Sequence, residues 1–219
     1  MNKFFKLGLS IVLFFHLAGC AASRSGFNLD MPVAGSSVSN GKQVYIRSVE
    51  DIRKFEDKPN IPEVPLLSGG LANADAGIKS RAIARERNSF GKAMGNIFLD
   101  QGNTVESVIH AAVQTTFESL GYDVVENQAQ AKPDALIVDV SVESFWGWLT
   151  PGAFSIKLEN KIITTSRVTS NAGTKSFIVA VHESLSYRGA TEGSWKKSFK
   201  TALQKYVDQS KVEFKNVNK

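Results

Sequence analysis

The chain offers little material for chemistry. Cys20 is its single cysteine in 219 residues. No intrachain disulfide can form, and there is no Cys-x-x-Cys pair to hold zinc. Histidine is almost as scarce, with His16, His110 and His182 and no His-x-x-x-His spacing. No Gly-x-Ser-x-Gly elbow, Walker loop or Rossmann glycine fingerprint occurs. No run reaches 18 apolar residues, so no segment reads as a spanning helix. These absences leave the fold resting on its apolar core. They give no catalytic residue, no metal site and no cofactor site to expect.

What is present starts at the N-terminus. Leu7 to Ala18 form a short, mostly apolar run behind Lys3 and Lys6, followed by Gly19 and Cys20. Twelve residues are too few to cross a bilayer, which needs about 20. They fit the apolar region of a signal peptide with a basic start. Leu17-Ala18-Gly19-Cys20 then reads as a lipoprotein cleavage site, with the Cys20 thiol carrying a diacylglycerol. A plain secretory signal with a coincidental cysteine, or an N-terminal anchor, is the alternative. The expected layout is a signal peptide over 1–19, a lipid-anchored flexible tether over 20–41, and one domain over 42–219.

Lys3 and Lys6 depart with the signal, so 26 basic residues become 24 against 21 acidic ones, a net charge of +3. That is too mild a balance to indicate nucleic acid. Residues 21–41 are small and polar, as in a flexible linker. Residues 43–48 alternate as a first strand. Pro59, Pro62 and Pro65, then Gly69-Gly70, break regular structure over 56–80. Val105, Val108, Ile109, Ala112, Thr116, Phe117 and Leu120 form one helical stripe, with Asn103 and Glu106 as a capping box and Gly121 as the stop. Three alternating strands follow, over 136–143, 154–168 and 177–187. Thr150-Pro151-Gly152 and Asn171-Ala172-Gly173 turn between them. A last helix over 192–208 carries Trp195, Phe199, Ala202, Leu203 and Tyr206 on one side and lysines on the other. The expected fold is α+β: a two-layer sandwich with a mainly antiparallel sheet and two amphipathic helices on one face.

Three features suggest surfaces. Trp146 and Trp148, at i and i+2 beside a turn, either form an exposed docking tip or cap the open end of the core. Arg81, Arg85 and Arg87, within the basic stretch 79–92, either contact anionic lipid, lipopolysaccharide or an acidic partner, or pair with nearby carboxylates. Asp139, Glu143 and Glu159 lie on or near the wet strand face, where alternation puts charges in any case. His182 and Glu183 point to opposite faces and make no dyad.

In order along the chain stand Leu-Ala-Gly-Cys at 17–20, Arg85-Glu86-Arg87-Asn88, the helix ending Leu120-Gly121-Tyr122, and a meander closed by a helix. This pattern resembles the YajG-type periplasmic lipoproteins over most of residues 41–212. The proline loop and the Trp146/Trp148 hairpin depart from it. The resemblance implies an outer-membrane lipoprotein. Ala21 is not the aspartate that favours inner-membrane retention, so the periplasmic leaflet of the outer membrane is expected. The leading expectation is a non-enzymatic accessory protein, tethered through Cys20, that binds another envelope component. Carriage of lipid or lipopolysaccharide is the alternative, and an envelope-polymer hydrolase is a third.

Overall fold

The computed structural model describes residues 26–35, 37–88, 92–215 and 217. The signal segment, Cys20 and Phe90-Gly91 lie outside the described residues. The elements are β1 (Gly26–Phe27), β2 (Gln43–Asp51), α1 (Ala76–Arg81), β3 (Ala82–Arg87), β4 (Ala93–Leu99), α2 (Val105–Ser119), β5 (Asp123–Val125), β6 (Leu136–Pro151), β7 (Ile156–Ser170), β8 (Gly173–Tyr187) and α3 (Glu192–Phe214).

The strands make one sheet. β6, β7 and β8 form the antiparallel meander that their alternation predicts, and β3 pairs antiparallel with β4. The rest is parallel: β2 with β5 and β6, β3 with β6, and β1 with β4. The α+β class holds, but the sheet is mixed, not mainly antiparallel, and it branches. The reason lies in the connections. The path from β2 to β5 returns through α2, and a helical crossover brings the chain back in the same direction.

The branch lies on β6. One edge of β6 pairs with β7 from Ile137 to Pro151. The other pairs with β2 as far as Val142, and then with β3 at Gly147. A register shift between Val142 and Ser144 marks a bulge at Glu143. An extra residue reverses which side chains face inward. Leu136, Val138, Val140 and Val142 enter the core under the helices, and beyond the bulge Phe145 and Leu149 do. Trp146 and Trp148 therefore point to the reverse face.

The main core lies between the sheet and α2 and α3. The expected stripe of α2 is buried from Val105 to Phe117, and that of α3 extends beyond expectation to Phe214. Phe117 stacks on Phe214 with centroids 4.9 Å apart, and Phe145 on Phe199 at 5.5 Å. Each such ring contributes about 1.5–3 kcal/mol by leaving water. The cap of α2 lies one residue later than the sequence suggests: Thr104 and Ser107 form the box. Gly121 ends the helix at φ 82°. A Cβ there would also run into the Val38 carbonyl oxygen.

Part of the segment expected as a tether lies against the domain, although Val33 and Val38 stay exposed. Phe27 is in the core, Leu29 and Met31 pack against it, and the Thr115 hydroxyl donates to the Pro32 carbonyl. Asn40 donates to the carbonyls of Leu120 and Gly121. Alternating Phe27, Leu29 and Met31 supply enough apolar surface to hold this arm down.

Candidate functional site

The reverse face is where sequence and structure diverge most. The segment from Arg53 to Arg81 folds back across half of it. Leu67, Ala82, Phe98, Trp146 and Trp148 form a second core there, with Phe55, Leu71, Ala74 and Ile78 packed against them. Pro59, Pro62 and Pro65 keep the first part of this cover out of regular structure, and α1 closes it. Trp146 donates from Nε1 to the Pro62 carbonyl at 3.3 Å and meets Phe55 edge-on. Trp146 is 0% exposed and Trp148 5%. The expected indole docking tip is thus corrected. Both rings share one side of the strand, as their spacing predicts, but the bulge aims them under the cover.

Two polar residues fasten the cover. Arg53 is fully buried, and all five of its N–H donors are used. It grips both Asp51 carboxylate oxygens at 2.7 Å and donates to the carbonyls of Lys79, Ala82 and Phe145 at 2.8 Å each. Its guanidinium also lies 5.2 Å from the Phe55 ring centroid. Asn96 accepts from the Ser68 amide at 2.7 Å and donates to the Leu66 carbonyl at 2.8 Å.

The three candidate arginines do not share a face. Arg81 donates from Nε and Nη2 to the Leu99 carbonyl. Arg85 turns into the cover, where it bonds the Ser68 hydroxyl and Asn96. Burial, and then the neighbouring Arg87, pull its guanidinium below its ordinary pKa. Arg87 stands at the far end of β3, beside the turn to β4. The bulge in β3 after Ala82 breaks the alternation that would have aligned them.

A cleft of about 510 Å³ opens where the cover stops. Ile52, Ile61, Val64 and Pro65 form one wall, and Glu143, Ser144 and Lys161 the other. Glu63 reaches across to Lys161 at 2.7 Å. Ile52 and Ile61 remain exposed. Beyond the cleft the β7–β8 ribbon lies open on this face, with Ser176, Ile178, Ala180, His182 and Ser184 exposed. Among the described residues β8 pairs with β7 alone, so its outer edge has no described strand beside it.

The carboxylates are engaged one by one. Asp139 takes two bonds from Arg47 and one from the Ser48 hydroxyl at 2.8 Å, and the Arg47 bond above all holds its pKa below the ordinary carboxylate range. Glu143 accepts from the Thr165 hydroxyl at 2.6 Å. Glu159 meets His182 Nε2 at 3.0 Å, and that imidazole lies 5.5 Å from the Trp148 ring centroid. Glu183 points to the opposite face and pairs with Lys205 of α3. Among the described residues, no group of three or more His, Cys, Asp or Glu converges as metal ligands. No described helix is long and apolar enough to cross a membrane.

Arg53, Asn96 and the Glu159–His182 pair went unseen in sequence. Asp51-Ile52-Arg53 carried a usable signal, since i and i+2 on a strand share a face. The other two depend on strand register.

No protein-family model and no curated protein matches this chain. Solved structures are similar at low identity. One is an uncharacterized protein, with TM-score 0.41 and 8% identity, covering 86% of this chain and 100% of that one. A second is a Xanthomonas campestris protein of the family designated DUF330, with TM-score 0.39 and 12% identity, covering 87% and 95%. A third is a hypothetical protein from Chlamydia trachomatis, with TM-score 0.30 and 12% identity, covering 79% and 96%.

Proposed function

We propose that this chain is a non-enzymatic, YajG-type lipoprotein, anchored through Cys20 in the periplasmic leaflet of the outer membrane, that binds another envelope protein. The observation that carries the reading is the cleft beside the cover. It pairs exposed Ile52 and Ile61 with the Glu63–Lys161 ion pair, and it continues onto an uncovered sheet face. Apolar anchors ringed by charge suit a protein partner. The space between helices and sheet, where a lipid carrier would need its groove, holds stacked Phe145 and Phe199 and the buried rings of Trp195 and Tyr206.

The test is in-cell photocrosslinking from position 61 of the lipidated chain, with position 172 as the control, followed by mass spectrometry. One dominant envelope protein captured from 61 but not from 172 supports the reading. Lipid or lipopolysaccharide alone would move it to carriage. Equal capture from both positions would remove the cleft as the site. Anchoring is tested separately: Cys20→Ser should abolish acylation, and normal palmitate labelling of that variant would overturn it.

A further inference from the structure

We infer that the end of the sheet bearing Phe154 and Met94 seats on the anionic headgroups of the bilayer that holds the lipid. The inference rests on the reading of Cys20 as the acylated residue.

Strand direction gathers this end. β3 runs parallel to β6 and pairs antiparallel with β4, so the last residues of β3, the first of β4 and the turn from β6 to β7 share one end. β8 ends there too, with Tyr187 opposite Ile156. The turn after Asn171 lies at the other end, one fifteen-residue strand or about 50 Å away.

The exposed side chains at this end are of two kinds. Phe154 is 99% exposed and Met94 61%. Phe154 is not a loose loop residue. The Gly152 amide donates to the Ser155 carbonyl at 2.9 Å, closing a tight turn that presents the ring to solvent. Lys92, Lys157 and Arg188 are exposed beside these apolar groups, and Arg87 is half-buried there. Among the described acidic groups near this end, Glu192 is held by Lys196 and Glu159 by His182, which leaves Glu86 against Lys92, Lys157 and Arg188. An aromatic ring and a methionine among cations match an interface of apolar chains beneath anionic headgroups.

The attachment point agrees. β1 runs parallel to β4, with Gly26 beside Phe98 and Phe27 beside Leu99. The N-terminal end of β1 therefore faces the Met94 end of β4. Cys20 lies six residues before Gly26. Six residues reach at most about 20 Å. A tether expected to span 20–41 would allow any face to meet the bilayer. With Phe27 in the core, the reach from Gly26 favours the end with Met94 and Phe154, which also has the charge to meet it.

The experiment uses the lipidated chain reconstituted in vesicles of phosphatidylethanolamine and phosphatidylglycerol. An acylated Cys20 has its sulfur in a thioether, so a cysteine introduced by Phe154→Cys, Met94→Cys or Ala172→Cys is the single free thiol for a nitroxide label. Labels at 94 and 154 should be reached by oxygen in preference to a water-soluble nickel chelate, with the reverse at 172. Lys92→Glu with Lys157→Glu and Arg188→Glu should return the label at 154 to water. Labels at 94 and 154 as wet as that at 172, on an acylated chain, would overturn the seating alone. A maleimide-reactive Cys20 in the parent protein would overturn the anchoring as well.

Discussion

Arg53 and Phe145 meet where the sheet divides. The Arg53 Nη1 group donates to the Phe145 carbonyl at 2.8 Å, in the interval where β6 has left β2 and has not yet reached β3. A buried carbonyl without a donor costs about 1–3 kcal/mol. The same guanidinium serves Ala82 and Lys79, so it stands in for the strand that is missing at the fork.

Arg53→Ala leaves those carbonyls and the Asp51 carboxylate buried without their partner. We expect a loss of about 3–5 kcal/mol, read as a lower urea midpoint. Arg53→Lys should recover little, because an ammonium supplies three donors in place of five. A midpoint unchanged in Arg53→Ala would refute the role of this residue.

Trp146→Ala should lower stability by about 3–5 kcal/mol, as expected for emptying a core position. Phe154→Ser, on a ring free of packing, should change it by no more than about 0.5 kcal/mol. Thermal unfolding of the two variants side by side separates core from surface. Equal midpoints would contradict the burial described for Trp146.

Gly147 sits beneath α3, where a Cβ would stand 2.9–3.0 Å from atoms of Trp195, Asn160 and Phe199. Gly147→Ala should therefore cost about 1–3 kcal/mol through overpacking. Denaturant titration checks it, and a neutral result would mean that α3 can lift off without cost.

Asp139 has a folded pKa below its ordinary value, chiefly through its bond from Arg47. Its contribution is therefore present above the unfolded carboxylate range and is lost as pH falls through the folded pKa. Asp139→Asn should flatten the decline in stability below about pH 4. Parallel acid limbs in the two proteins would show that the pair adds nothing to folding.

Much of the architecture was legible in sequence. Val105 to Phe117 and Trp195 to Tyr206 announced their helices by period, and the alternation from Ile156 to Tyr187 announced the meander. β3 was not legible. Ala82-Ile83-Ala84-Arg85 has no alternation, because a bulge there puts Ile83 and Ala84 into the same core. The indoles misled for a related reason. Trp146 and Trp148 were rightly placed on one side of a strand, but which side depended on Glu143, an ordinary polar residue locally. The cover over them reads in sequence as an irregular loop, since the contacts that seat it on the indoles are long-range.

The bulge at Glu143 has a consequence for how the chain can change. β6 lines one core with Val138, Val140 and Val142 and another with Trp146 and Trp148, and one surplus residue keeps the two in phase. Conservative replacements along β6 alter one contact at a time. Removal of Glu143 would instead rotate one half of the strand against the other, turning the tryptophans toward the helices or the valines away from them. The strand is therefore tolerant of spelling and intolerant of length. Insertions and deletions in this protein should accumulate at the hairpin turns and be purged between Val138 and Trp148.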